Sequence, residues 1–217
     1  MRLLSAAISL LVCLPGTLFA DLVINQKVEG AGQAGDVVLK IKGDNVRADM
    51  PQSVSSITNT ATGEIITLMH SQKSFLRISG DRSKQLLERM QQQVYGTAAP
   101  AEPAKLQPTG KKEKVGEWDT EVFTCKIGAM TVTYWIAKDF PNFAAVAESL
   151  QKIQLASLGN FGPKTQDLSG MPVKIEMDFD KKKITNTILS VKEEAVDESV
   201  FALPKNYKEI ELPEPKP

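Results

Sequence analysis

Apolar and polar residues alternate along most of this chain, and a two-residue period marks strands that turn one face inward. Leu22, Ile24 and Val28 alternate with polar neighbours. Val37, Leu39 and Ile41 do so again before the turn at Gly43-Asp44, which leads into residues 46–50. Residues 53–60, rich in Ser, Thr, Val and Ile, end at Thr62-Gly63. Residues 65–70 and 74–79 then read as a hairpin about Ser71-Gln72-Lys73. Six strands joined by short turns predict an antiparallel meander.

The period next lengthens to that of a helix. Leu86, Leu87, Met90 and Val94 share one face, and Ser79 or Asp81 is placed to cap its start. Residues 96–109, GTAAPAEPAKLQPT, carry three prolines and predict a linker or mobile loop. Strand signals return at 111–115, 118–127 and 130–137, with a turn at Gly116-Glu117. Asp139 is expected to cap a second helix beginning around Pro141, with Phe143, Val146, Ala147, Leu150 and Ile153 as its core stripe. Residues 159–170 read as loop. Val173, Ile175, Met177 and Phe179 alternate with Lys174, Glu176 and Asp178, giving a strand with one apolar and one wet face. A turn at 180–183 leads into a last strand at 184–191, and the proline-alternating tail predicts disorder. The strands-then-helix order occurs twice without an exact sequence repeat.

Residues 1–20 have a different character. Arg2 precedes an apolar run at 3–14, Pro15-Gly16 interrupts it, and Ala20 offers a small residue for cleavage. The run is too short for a ~30 Å hydrocarbon layer, so the segment predicts a secretory signal peptide and an exported protein that does not span the membrane. Removing 20 of the 217 residues leaves 197, enough for one good-sized core or two small ones. Only Arg2 is lost among the 26 basic residues, leaving 25 against 26 acidic. That balance lacks the concentrated positive footprint a nucleic-acid binder needs. Cys13 goes with the signal segment, and Cys125 is then alone, turned by the alternation towards Phe123 and Ile127 as a small buried hydrophobe.

Catalytic and metal signals are sparse. His70 is the one histidine, at a strand end beside a turn, and it lies in a different strand from Cys125; neither a zinc site nor any cofactor is expected. The stretch at 156–159 is no nucleophile elbow, and Thr109-Gly110-Lys111-Lys112 lacks the first glycine and the final Ser/Thr of a phosphate loop. Glu193-Glu194 and Asp197-Glu198 read as solvating an edge. A carboxylate hydrolase would need two acidic side chains facing each other in a cleft. The chain is therefore expected not to be an enzyme.

The apolar positions are more informative. Met69, Phe75, Phe123, Val132, Tyr134, Ile175, Met177 and Phe179 all lie on predicted strands. They form either a filled core beneath the two helices or the lining of a cavity for an apolar ligand. Trp118 and Trp135 are candidates for its rim.

Three stretches together carry a resemblance. These are ADLVINQKVEG with GDVVLKIKGDNVRADM, PTGKKEKVGEWDTEVFTCKIG running into TYWIAKDFPNF, and DESVFALPKNYKEI. In that order they resemble an uncharacterised family of exported bacterial proteins with a domain of unknown function. Its architecture is similar to that of the periplasmic lipoprotein carriers and outer-membrane lipoprotein receptors. The resemblance implies an α+β fold: a strongly curved antiparallel sheet, an unclosed half-barrel, wrapped around two or three helices. It implies one such domain over residues 21–212, with a mobile loop at 96–109 and a disordered tail at 213–217. It implies, further, a hydrophobic hollow for a lipid or a lipoprotein acyl group, with transient association with the envelope. The alternative is a structural or interaction protein of the cell envelope, with a filled core and partners recruited at a sheet edge or at 96–109.

Overall fold

The computed structural model describes residues 21–30, 33–95, 104–158, 162–179 and 182–211. The expected signal segment at 1–20, most of the predicted loop at 96–109, and the expected tail at 213–217 lie outside the described residues. Six strands come first: β1 (Leu22–Gly30), β2 (Gln33–Lys42), β3 (Asn45–Met50), β4 (Val54–Asn59), β5 (Ile65–Met69) and β6 (Ser74–Ile78). Helix α1 (Gly80–Tyr95) follows, then β7 (Gln107–Val115), β8 (Trp118–Ile127) and β9 (Met130–Ala137). Helix α2 (Phe143–Leu158), β10 (Met171–Phe179), β11 (Lys182–Glu193) and the short β12 (Lys208–Ile210) are the remaining helix and strands among the described residues. Two α-helices and three 3-10 turns are present among the described residues, which sharpens the expected two or three helices to two.

The twelve strands form one sheet in the order β12-β6-β5-β4-β3-β2-β1-β11-β10-β9-β8-β7. Each half is a meander of antiparallel neighbours, and the β1–β11 pairing joins the halves. The sheet does not close, because β7 and the β12–β6 pair stand at opposite ends. β12 is the one parallel partner in this order, laid along β6 by the returning C-terminal segment.

Cross-strand pairs share a face, so the registers sort the side chains. Leu22 pairs with Ile41, and Ile41 with Val46; Ile24 pairs with Leu39. On this inner face they meet Phe143, Val146, Leu150 and Ile153 of α2, together with Ala137, Phe140, Met171 and Val173. One apolar cluster thus reaches from β3 to β9. In a flat sheet those strands would stand about 24 Å apart at ~4.8 Å per strand, and curvature about α2 brings them to a common core. Lys152 of α2 reaches Asp44 in the β2–β3 turn at 3.4 Å, and Asn142 donates to Glu193 at 3.1 Å. A second inner cluster joins Cys125, Ile127, Val132, Tyr134 and Ile136 with Leu87 of α1 and with Leu106.

The outer face of β4–β6 is covered differently. Ile57, Ile66, Leu68 and Phe75 pack against Phe201, Leu203 and Tyr207 of the C-terminal segment. Asp197 caps the 3-10 turn Glu198–Phe201, accepting from the Ser199 N–H at 2.7 Å, as its place before a short turn predicts.

Two boundaries differ from expectation, and at a third the structure chooses between two expected caps. Gln107, Pro108 and Thr109 belong to β7 and not to a loop. β7 is an edge strand with a register shift between Pro108 and Lys112, a place where the missing proline N–H costs little. The second helix starts at Phe143, two residues later than Pro141, and Asp139 lies in the preceding turn. Asn142, with φ 53°, redirects the chain there, and its carbonyl accepts from the Val146 N–H at 3.3 Å. Ser79 rather than Asp81 caps α1: its hydroxyl accepts from the Arg82 N–H, and its carbonyl from the Ser83 N–H.

Candidate functional site

The inner face is only partly covered. On β1 the inward positions run Leu22, Ile24, Gln26 and Val28; α2 covers the first two. Over the other two the sheet leaves a hollow of about 410 Å³. Its floor is Gln26 and Val28 of β1, Val37 of β2, Ala48 and Met50 of β3, and Val54 of β4, with Asn186 of β11 at one side. The pairs Gln26–Val37, Ala48–Ser56 and Met50–Val54 place these strands side by side on one face. The turn after β3 folds over one end. A Cβ on Gly35 would come within 2.5 Å of the Pro51 ring, so only glycine admits that approach. Among the described residues no charged side chain lines the hollow.

At its base Asn186 donates to the Gln26 side-chain oxygen at 2.9 Å. Gln26 is buried, at 9% exposure, and Asn186 Oδ1 is buried without a hydrogen-bond partner among the described residues.

The sequence-predicted lining divides. Met69 pairs with Val54, which pairs with Met50, and so lies on β5 beside the hollow without lining it. On the other side Asn186 pairs with Ile175, Ile175 with Tyr134, and Tyr134 with Phe123. Met177 and Val132 pair on the same face. Tyr134 and Val132 are buried core residues beneath α1, with Phe123, Ile175 and Met177 packed against them. Phe179 shares the face but is 57% exposed at the strand end. Phe75 does not join them. It pairs with Leu68, and Leu68 with Ser55, on the opposite face, because a single position of register reverses a side chain. Of the eight, seven share the inner face and none forms the floor of the hollow. Val28, Val37, Ala48, Met50 and Val54 form it, and the alternation that predicted their strands was the available signal.

Two further hollows are more polar. One of about 430 Å³ lies beside Trp118, Phe140 and the start of α2, with the exposed Glu117 and Glu193 at its wall. Another of about 450 Å³ lies along β7 and β8 and is walled mostly by charged groups, among them Lys112, Glu113, Asp119 and Lys138. Trp118 packs against Phe140 in a tilted contact, with ring centroids 4.8 Å apart and planes at 44°. Trp135 is buried on the face opposite Tyr134, donating to Glu113 at 2.8 Å beneath Lys174, and is no rim to the inner hollow.

His70 sits in a saturated network on the outer face. Its Nε2 is 2.7 Å from Ser55 Oγ and its Nδ1 is 2.7 Å from the Tyr207 hydroxyl. Ser55 donates to Asp49 at 2.8 Å and accepts from Arg47 at 3.2 Å. With the serine proton committed to Asp49, Nε2 is the donor and Tyr207 donates to Nδ1. A serine already hydrogen-bonded to a carboxylate and an arginine, and 2% exposed, is a fastener rather than a nucleophile. Arg47 also donates to the Val200 carbonyl at 2.7 Å, so this network pins the C-terminal segment to the sheet. A second pin holds residue 196: Asp21 accepts from its N–H and from Lys42, and Lys42 donates to its carbonyl, each at 2.9 Å.

Cys125 is buried at 3% exposure within the Tyr134 cluster, and burial pushes its thiol up despite a hydrogen bond with Tyr134. Among the described residues no three His, Cys, Asp or Glu side chains gather as metal ligands, and no helix is long and apolar enough to cross a membrane.

Among solved structures the chain is similar to the Mycobacterium tuberculosis lipoprotein LppX, at 14% identity and a TM-score of 0.44 over 82% of this chain and 88% of that one. It is similar to LprF from Mycobacterium bovis at 10% identity and a TM-score of 0.38, over 86% and 89% of the two chains. It is similar, too, to PNGF-II at 11% identity and a TM-score of 0.44, covering 89% of this chain but only 32% of that one. No residue role is carried from likenesses this distant. The search of curated proteins gives no match. The family model for a domain of unknown function, DUF4412, matches residues 22–207, nearly the whole of the described sheet, and the chain belongs to that family.

Proposed function

We propose that this is an exported, non-enzymatic protein that binds a hydrophobic ligand, a lipid or an acyl chain, on the inner face of its unclosed sheet. The observation that carries the reading is the uncharged hollow of about 410 Å³ over β1–β4, which α2 leaves uncovered. Its volume lies at the lower end of the ~300–1,000 Å³ of small-molecule sites, which favours one chain over several. Met50, 37% exposed at its edge, and Met69 beside it supply flexible surface that adapts to an apolar guest. The Ser55–His70 pair stands on the outer face, with both partners already hydrogen-bonded, and does not reach the hollow. Export rests on the signal-like segment at 1–20.

The alternative of strand addition at an edge has less support. β7 is exposed at eight of nine positions, but Pro108, Lys111, Lys112 and Lys114 are the residues that blunt an edge. The test is gentle purification of the mature protein from its own host, then solvent extraction and mass spectrometry. A co-purifying apolar compound and saturable displacement of phenylnaphthylamine from the purified protein are expected. Absence of both removes the proposal.

A further inference from the structure

The hollow has a polar pole, and it carries a preference among apolar ligands. Gln26 and Asn186 are bonded to each other at its base, yet Asn186 Oδ1 has no donor among the described residues. A buried acceptor left unpaired is costly, and a bound group that supplies the missing hydrogen recovers that cost on binding. The lining residues are aliphatic or amide, and none of those described offers a cation to receive a carboxylate or phosphate. Resting on the binding function above, we infer that the Gln26–Asn186 pair selects a neutral amphiphile whose hydroxyl enters the hollow and donates to Asn186. The chain of such a ligand lies along Val28, Val37 and Val54 towards Met50. A free fatty-acid anion is disfavoured, because its charge would lose water without gaining a partner.

The experiment is competition against phenylnaphthylamine on the mature protein at pH 8, with decanol, decyl methyl ether and decanoate as competitors. The ether has nearly the shape of the alcohol but cannot donate. Decanol is expected to compete about fivefold better than the ether, the worth of one net hydrogen bond, and to outcompete decanoate. Gln26→Leu/Asn186→Leu, which removes both partners together, should still bind the ether but lose the preference for the alcohol. Equal competition by alcohol and ether, a preference that survives in the double variant, or decanoate matching decanol overturns the inference while the binding function stands. Failure of every competitor and of the dye itself overturns the binding function.

Discussion

Ala48 lies on β3 between Leu39 and Ser56, on the floor of the hollow, and Ala48→Phe asks whether the space is real. A phenyl ring placed there buries roughly 100 Å² more apolar surface than a methyl, worth about 2.5 kcal/mol at ~25 cal/mol per Å². In a filled core the same change forces neighbours off their rotamers and costs ~1–3 kcal/mol. A hollow of about 410 Å³ accepts the ring without displacing Val37 or Val54. The expected result is unchanged or raised stability, with each kcal/mol read as a Tm shift of ~2–4 °C for a domain of this size. Competition for the hollow should meanwhile weaken phenylnaphthylamine binding at least tenfold, about 1.4 kcal/mol. The paired assay is a thermal melt by circular dichroism and a dye titration on the same preparation. A Tm lowered by several degrees with dye binding intact would refute the geometry, since it would mean a packed floor and a dye bound elsewhere.

Ile136, fully buried among Cys125, Val132 and Tyr134, should lose ~2–5 kcal/mol of stability as Ile136→Ala, measured by urea unfolding; a loss under ~1 kcal/mol contradicts its place in the core. At Gly80, a Cβ would stand 2.0 Å from the Thr62 carbonyl, so Gly80→Ala should cost ~1–3 kcal/mol although alanine favours helices. Tyr207→Phe deprives His70 Nδ1 of its donor and should cost about 1–2 kcal/mol, with faster proteolysis of the C-terminal segment as the readout. Burial pushes the Asp21 and Asp49 carboxyls up, but hydrogen bonds to Asp21 from Val196 and Lys42, and to Asp49 from Arg47, Ser55 and Lys40, outweigh it and hold both below the usual carboxylate range. Their contribution to folding is complete above the unfolded value near pH 4 and drains away as pH falls through the depressed ones. Asp21→Asn/Asp49→Asn should therefore flatten the fall in urea midpoint between pH 6 and 3, and an unchanged slope would show that neither pin carries it.

Sequence by itself determined the strands and the two helices. Period-two alternation records which side chains must leave water, and that requirement acts strand by strand before any tertiary contact forms. It also turned Cys125 inward beside Phe123 and Ile127, where the structure buries it. Alternation could not say which of the two faces was shared. Phe75 looks like Met69 in sequence, but a tight 3-10 turn at His70–Gln72 sets the register that sends it to the outer face under Tyr207. Nor could it say where cover ends. Ile24 and Val28 are equivalent in pattern, and only the placement of α2 makes the first a core residue and the second the floor of a hollow. The Gln26–Asn186 pair, 160 positions apart, was invisible for the same reason: β1 and β11 meet by closing the longest loop in the fold, and no local signal encodes that meeting.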